Sequence, residues 1–572
     1  MKPVLSTCLR LAKSLARPSG SQDELTGQTR DRIVVMMCAI VALFVIIQGR
    51  LVFLASQNDD GPAIRRGANM ELAASRPRIL DRNGQTLALD IEVQSLFAEP
   101  KIIEKPDEIF DSLLTVLPDL DQKKTMRRLK SGQGFVWLKR EITPRQQADI
   151  LALGLPGIGF RTESSRYYPA AETASHILGH TNIDNQGIAG VEKHLDDTWL
   201  KELHSSGFAL RKELEPVSLS IDLRVQHFIR DALAEAMDKY KAIAAAGVVL
   251  NVHTGEIVGM SSLPDYDPND PKLANKPDRL NRMSAGLFEM GSTFKTFTTA
   301  MALDSGKVTL NSRFDARKPL KIGRFSIKDF HGKKRILSVP EIFIYSSNIG
   351  TAKMAEEVGI PGHQEFLTRI GLLSKMEGLE LPEIAKPTQP KKWKRVNSIT
   401  ISFGHGMSTT PLQTAVAAAA LVNGGKLIQP TLFPRSEEQA SGVAKQVLKP
   451  STADSMRYLM RLNVLKGSGR RAEVPGFLVG GKTGTAEKVV NGRYSNNKKF
   501  NAFLSAFPVD NPQYVVLVIL DEPKPEKGQR YATAGMNAAP TVAKIIKRSA
   551  PILGVTPDFR VRDTAILSSY RQ

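Results

Sequence analysis

The sequence predicts an α/β domain preceded by a more polar block and an N-terminal membrane-spanning helix. Three observations predict that order. An apolar run of bilayer length stands near the N-terminus, the stretch from about residue 56 to 215 is polar with glycine turns, and beyond Pro216 strand-like alternation and helical periodicity succeed one another. At 572 residues the chain is too long for one compact core, so two or three domains are expected. An apolar content of 42% and a charged content of 24% are ordinary for globular protein.

The apolar run occupies residues 33–54. Ile33 to Ile47 is unbroken, and after Gln48-Gly49-Arg50 it continues through Leu51-Val52-Phe53-Leu54, about the 20 residues that a bilayer requires. Lys2, Arg10, Lys13, Arg17, Arg30 and Arg32 outnumber Asp23, Glu24 and Asp31 ahead of it. The positive-inside rule therefore reads residues 1–32 as a cytoplasmic basic tail and places the bulk of the chain outside. A cleaved signal peptide is the rival reading, but the charged lead is long and no clear A-x-A site follows, which favours an uncleaved anchor. Val4, Cys8, Leu11, Ala12 and Leu15 share one helical face, suited either to the inner membrane surface or to a frayed tail.

A formal charge of +20 calls for an anionic neighbour. Nucleic acid is not indicated, since there is no zinc-ligand cluster, RNP-like aromatic run or basic DNA-reading helix. Anionic lipid and an acidic wall polymer both remain. The only cysteines, Cys8 and Cys38, precede residue 55, so the large domain has no thiol nucleophile or thiolate metal site. No metal or other cofactor is expected.

Residues 55–215 read as short strands and turns, with Asp81-Arg82-Asn83-Gly84 as a turn signal and Arg166-Tyr167-Tyr168-Pro169 and Gly190-Val191-Glu192 standing out. Nothing in them demands catalysis; they suit a spacer or docking domain held by arginine–glutamate pairs. In the next block, Val217 to Ile221 alternates like a strand, and Val225, Phe228, Ile229, Ala232, Leu233, Ala236, Met237 and Tyr240 trace one helix face. Gly247 to Asn251 and Ile257 to Ser261 form a predicted hairpin, Ala502 to Phe507 and Tyr514 to Leu520 two further strands, and Ala539 to Lys547 a closing helix.

Three short stretches carry chemistry. Ser292 and Lys295 in Gly291-Ser292-Thr293-Phe294-Lys295 stand at i and i+3, on one face of a helix that begins there. A hydroxyl is inert until its proton is removed, and a lysine can remove it only if burial and a second cation lower its pKa. Ser346-Ser347-Asn348 adds a hydroxyl and an amide, and Lys482-Thr483-Gly484-Thr485 follows Gly480-Gly481 in a strand-like run. Phe294, Phe297 and Met301 are expected to pack in the core.

Together these residues resemble the class B penicillin-binding proteins, bitopic D,D-transpeptidases that cross-link peptidoglycan. The similarity spans nearly the whole chain beyond residue 30. Arg78 to Gly84, Arg166 to Pro169 and Gly190 to Glu192 look like the family's pedestal. The resemblance implies an elongated α+β pedestal at 55–215 and a transpeptidase domain at 216–555. That domain would be of the penicillin-binding and serine β-lactamase type, an antiparallel sheet flanked by helices, followed by a tail at 556–572. It implies a bacterial inner-membrane location with the catalytic domain outside the cytoplasm. Ser402-Phe403-Gly404-His405-Gly406 followed by Thr409 to Gln413 resembles the division-specific, FtsI-type branch; the elongation-specific branch is the nearest competitor. Met290, where many members carry proline, is the one departure.

By the same resemblance, Ser292 attacks the carbonyl between the terminal D-alanines of a stem peptide and Lys295 is its base, with Lys482 helping to hold that base neutral. Ser346 relays a proton to the departing amine, and Asn348 holds Lys295 and the substrate amide. Backbone N–H groups of Ser292 and Thr485 form the oxyanion hole. Lys482, Thr483 and Thr485 bind the terminal carboxylate, and Gly484 lets the peptide lie close. Implied partners are stem peptides, β-lactam inhibitors, a membrane-embedded glycan polymerase of the FtsW type and other division proteins.

A β-lactamase or β-lactam sensor shares part of the pattern, but the pedestal-like block and Ser346-Ser347-Asn348 argue against it. A non-enzymatic scaffold is disfavoured by intact Ser292, Lys295 and Lys482. Ser346 as a mere helix cap, His253, His331 and His405 as turn or packing residues, Gly467 to Arg471 as a flexible loop, and Lys391 to Arg395 as a solvated face are the plain structural readings.

Overall fold

The structure, a computed structural model, describes residues 35–50, 76–200, 214–323, 325–490 and 493–559. The chain divides into two compact units, Met1–Glu71 and Leu72–Gln572. In the first, residues 35–50 form a helix, α1, with exposed side chains. Among the described residues no helix is long and apolar enough to cross a membrane. Residues 33, 34 and 51–54 of the expected anchor, the expected helical face from Val4 to Leu15 and the rest of the basic tail lie outside the described residues.

The second unit begins with strands β1 (Ile79–Leu80) and β2 (Thr86–Ala98), helices α2 (Pro106–Val116) and α3 (Gln122–Leu129), strand β3 (Val136–Ile142), helix α4 (Pro144–Ala152) and strand β4 (Ile158–Tyr167). A short helix α5 (Gly190–Leu195) follows, then β5 (Val217–Ser218). The long β2 is the spine of this sheet, pairing antiparallel with β1, β3 and β4, while β1 pairs parallel with β5. The block is therefore α+β. It holds more helix than the turn-rich sequence suggested, because α2 and α4 start on prolines and α4 opens with a Thr143–Gln146 capping box, which supply local start signals.

Its interior contains a knot of charge. Glu192 receives Arg166 at 2.7 Å and Arg76 at 2.8 Å, Arg166 also reaches Asp90 at 2.9 Å, and Arg76 reaches Asp196 at 2.6 Å. Arg166 and Glu192 come from the two stretches that stood out in the sequence. The arginines hold the Glu192 carboxyl below its usual range even though complete burial pushes it up.

The remaining elements that position the site are α6 (Leu223–Tyr240), β6 (Ala244–Asn251), β7 (Ile257–Leu263), α7 (Phe294–Asp304), the hairpin β8 (Leu320–Ile322) and β9 (Phe325–Ile327), α8 (Val339–Tyr345), α9 (Asn348–Val358), α10 (Arg395–Ser402), α11 (Pro411–Ala420) and α12 (Pro450–Lys466). Strands β10 (Gly480–Val490), β11 (Arg493–Phe507) and β12 (Tyr514–Asp521) and helix α13 (Ala538–Ser549) complete them. One antiparallel sheet runs in the order β10-β11-β12-β6-β7.

Both faces of that sheet are buried. Ala246, Val248, Leu250, Val515, Leu517 and Ile519 pack into one core with Phe294, Phe297 and Leu412. The alternate residues Ala245, Val249, Val516, Val518 and Leu520 pack into the other with Val225, Ile229, Leu233, Val542 and Ile546. Period-two alternation thus survives, but with apolar side chains on both sides, so β12 reads as a continuous apolar run. The expected helices over Val225–Tyr240 and Ala539–Lys547 flank the second face as α6 and α13. The expected strand from Val217 to Ile221 is cut to two residues because Leu219 and Ser220 turn to bond Leu80 and Leu432.

Candidate active site

Ser292 lies in a 3-10 turn, Gly291–Thr293, that runs directly into α7. Lys295 follows on the same side of that start and is 1% exposed, enclosed with Phe294 and Phe297. The turn is pinned from two sides. Gly404 sits so close that a Cβ there would meet the Gly291 carbonyl oxygen at 2.0 Å, and Gly291 N–H donates to the Gly404 carbonyl at 3.2 Å. On the other side, a Cβ on Gly484 would come within 2.6 Å of the Met290 carbonyl oxygen. The missing side chain of Gly484 therefore lets β10 press on the serine turn, a different use from the close approach of a bound peptide.

Helix α8 ends at Ser346 in the left-handed conformation, with φ of 54°. Such a backbone costs a non-glycine residue about 1–2 kcal/mol. The bend directs both oxygens of Ser346 at Lys295, whose Nζ donates to the hydroxyl at 3.0 Å and also to the carbonyl. Lys482, fully buried on β10, donates to the same hydroxyl at 3.0 Å. Ser346 thus bridges two amines from distant segments. It is not a helix N-cap; that job falls to Ser347, whose Oγ accepts from Gly350 N–H at 3.0 Å.

Among the described residues neither amine has a carboxylate partner. Burial first and Lys482 second hold Lys295 well below the ordinary lysine range, against the pull of Asp329. Burial lowers Lys482 to about 7. Two amines sharing one hydroxyl in a dry site titrate as a pair, and a neutral amine is available near neutral pH. The Ser292 hydroxyl takes part in no hydrogen bond among the described residues.

Asn348 is placed differently from the expectation. Its Nδ2 donates to the Lys328 carbonyl at 2.9 Å, and no hydrogen bond joins it to Lys295 among the described residues. The neighbouring Asp329 accepts from the Ser347 hydroxyl at 2.7 Å and from Ile349 N–H at 3.0 Å. The segment after β9 is thereby latched to the start of α9. Asp329 was not singled out in the sequence, although it is the only acidic residue between Asp315 and Glu341.

Thr483 Oγ1 lies 2.6 Å from the Ser468 hydroxyl, and Thr485 Oγ1 accepts from Ala534 N–H at 3.1 Å. The Thr485 O–H is left free to donate to an anion, and so is that of Thr483 when Ser468 donates to it rather than to Asn463 Oδ1 at 3.4 Å. Ser468 corrects the reading of Gly467 to Arg471 as a flexible loop. Asn463 accepts from Ser468 N–H at 3.2 Å while donating to the Gly481 carbonyl at 2.8 Å, so the turn is tied to β10. Of the histidines, His253 bonds the Pro512 carbonyl and His331 packs on Phe330, while His405 packs beside Tyr494.

The description "Penicillin binding protein transpeptidase domain" matches residues 245–547, and "Penicillin-binding Protein dimerisation domain" matches residues 71–198. The chain is 40% identical over 491 residues to a probable peptidoglycan D,D-transpeptidase FtsI of Caulobacter vibrioides, covering 84% of this chain and 82% of the relative. Identity is 34% to a probable peptidoglycan D,D-transpeptidase PenA of Neisseria meningitidis, over 93% of this chain and 94% of the relative. It is 30% to the peptidoglycan D,D-transpeptidase FtsI of Escherichia coli, over 85% of each. With a serine, two buried lysines and a bridging hydroxyl gathered in the matched segment, the chain belongs to the class B penicillin-binding proteins of the FtsI type.

Proposed function

We propose that the chain is the septal peptidoglycan D,D-transpeptidase of its cell, working through a serine acyl-enzyme. The observation that carries this reading is the pair of buried amines, Lys295 and Lys482, on the single hydroxyl of Ser346. Neutral Lys295 takes the proton of Ser292 as Oγ bonds the carbonyl carbon between the two terminal D-alanines. The C–N bond then breaks, and the proton passes through Ser346 to the leaving amine, releasing D-alanine. A neighbouring stem-peptide amine attacks the acyl carbon, the C–Oγ bond breaks, and the amine's proton returns to Ser292.

The free hydroxyl donors at Thr483 and Thr485, beside the Lys482 amine, suit the substrate's terminal carboxylate. Backbone N–H groups of Ser292 and Thr485 are the proposed oxyanion donors. A β-lactam acylates the same serine. The proposed plan comprises a cytoplasmic tail at 1–32, a single-pass anchor at 33–54 in the inner membrane, a pedestal at 55–215, the catalytic domain at 216–555 outside the cytoplasm, and a short tail. An FtsW-type glycan polymerase and other division proteins are the proposed partners.

Replacing Ser292 by alanine is expected to abolish covalent labelling by a fluorescent penicillin. Labelling that persists at full strength removes this serine from the nucleophile's role. Rapid penicillin turnover by the wild type points instead to a β-lactamase.

A further inference from the structure

Between Asp315 and Glu341 the sequence holds eight lysines and arginines against the single Asp329. The hairpin of β8 and β9 within it is built onto the catalytic domain by Ile322, which packs with Ala352 of α9 and with Ile399 and Phe403, with Leu320, Ile327 and Val396 alongside. Its charged side chains face outward: Lys318, Lys321, Lys328 and Lys334 are exposed. Among the described residues none of these has a carboxylate partner, and neither does Lys353. Lys318, Lys321 and Lys353 line a surface pocket of about 490 Å³ together with Asp315, Leu320 and Ser326. Asp315, its one carboxylate, is already paired to Arg317 at 2.8 Å. Among the described residues, the lysines of the pocket outnumber its one carboxylate and form no ion pair with it.

Its place ties it to the reaction. Lys353 stands five residues after Asn348 on α9, about 7.5 Å along the helix axis. Lys328 and Asp329, directly after the hairpin, are the residues latched to Ser347, Asn348 and Ile349. Through these bonds the hairpin is tied to the helix start that carries Asn348. Peptidoglycan stem peptides carry free carboxylates, spaced along a strand that offers many at once, and a row of unpaired lysines attracts such a polyanion far more than it attracts one small substrate.

We propose that the lysine-lined pocket and the outer face of the β8–β9 hairpin bind the free carboxylates of peptidoglycan stem peptides, holding the polymer beside the catalytic cleft. The proposal rests on the transpeptidase reading of the site and adds a second contact to it. The surface favours the polymer over membrane lipid because its backbone is joined to the catalytic triplet itself.

The test compares full-length wild type with the triple variants Lys318→Gln/Lys321→Gln/Lys353→Gln and Lys318→Glu/Lys321→Glu/Lys353→Glu. Co-sedimentation with purified sacculi is expected to weaken on the order of tenfold in the neutralised variant and further in the reversed one. The wild type is expected to lose the same advantage when salt is raised or when the carboxylates of the sacculi are amidated. Fluorescent-penicillin acylation is read in parallel and reports whether the fold and the serine site are intact. Variants that acylate normally and bind sacculi as tightly as wild type overturn the proposal while leaving the transpeptidase reading untouched. Loss of binding to phosphatidylglycerol vesicles with unchanged sacculus binding also overturns it, by assigning the surface to lipid. A wild type that is not acylated by penicillin at all fails the transpeptidase reading instead.

Discussion

Two sets of buried charge in the protein are treated in opposite ways. In the N-terminal α+β block, two arginines meet Glu192, Asp90 and Asp196, so each charge of this knot has an opposite neighbour. In the catalytic domain, Lys295 and Lys482 are as deeply buried and, among the described residues, hydrogen-bond only to oxygens of serine and threonine. Matched charges stay ionised and act as structure; like charges in a dry site are forced toward neutrality and become available as bases. The sequence holds both sets, but only the fold tells them apart.

Breaking the matched set should have the largest effect. Glu192→Ala leaves Arg76 and Arg166 without their shared partner and is expected to cost about 3–5 kcal/mol of stability. Denaturant unfolding of the soluble region checks this, and a cost under about 1 kcal/mol would mean that the knot is dispensable. The unmatched set should respond with the opposite sign. Lys482→Met removes an amine that pays to be buried, so acylation should be lost while the melting temperature rises by a few degrees. An inactive and destabilised variant would contradict the contrast. Smaller still is Ser468→Ala, which takes away the hydroxyl bonded to Thr483 beside the proposed carboxylate site; acylation should slow about fivefold to tenfold with unchanged stability.

The two sets also respond to pH in separate windows. Glu192 has a folded pKa below its unfolded value, so its contribution is present above the usual carboxylate range and is lost as pH falls through the folded value. Both lysines have folded pKa values below the unfolded value near 10.5, and for Lys482 the unfolded chain binds more protons between about 7 and 10.5. The Lys482 penalty is complete below that window and fades as pH rises through it.

Much of this was legible in the sequence because it rests on local spacing. Ser292 and Lys295 share a helix start, and the central strands of the catalytic sheet announce themselves as short apolar runs. Arg166 and Glu192 stood out, yet nothing in their spacing revealed Arg76 as the third member of the knot. Asp329 and Ser468 were missed for the same reason: their partners, Ser347 and Thr483, lie 18 and 15 residues away through turns whose course no periodicity records. The approach of Gly484 to the Met290 carbonyl was not legible, since a glycine in a strand signals a close approach without saying of what. The left-handed backbone of Ser346, which aims its oxygens at Lys295, had no signal at all.

The most direct measurement is the second-order rate of penicillin acylation of the wild type from pH 5 to pH 11. If the buried pair supplies a neutral amine, the rate reaches its plateau well below pH 10 and falls toward tenfold per unit only on the acid side of the pair's lowered pKa. A rise that continues up to about pH 10.5, the titration of an ordinary lysine, would show that the amines stay charged and that the site works in some other way.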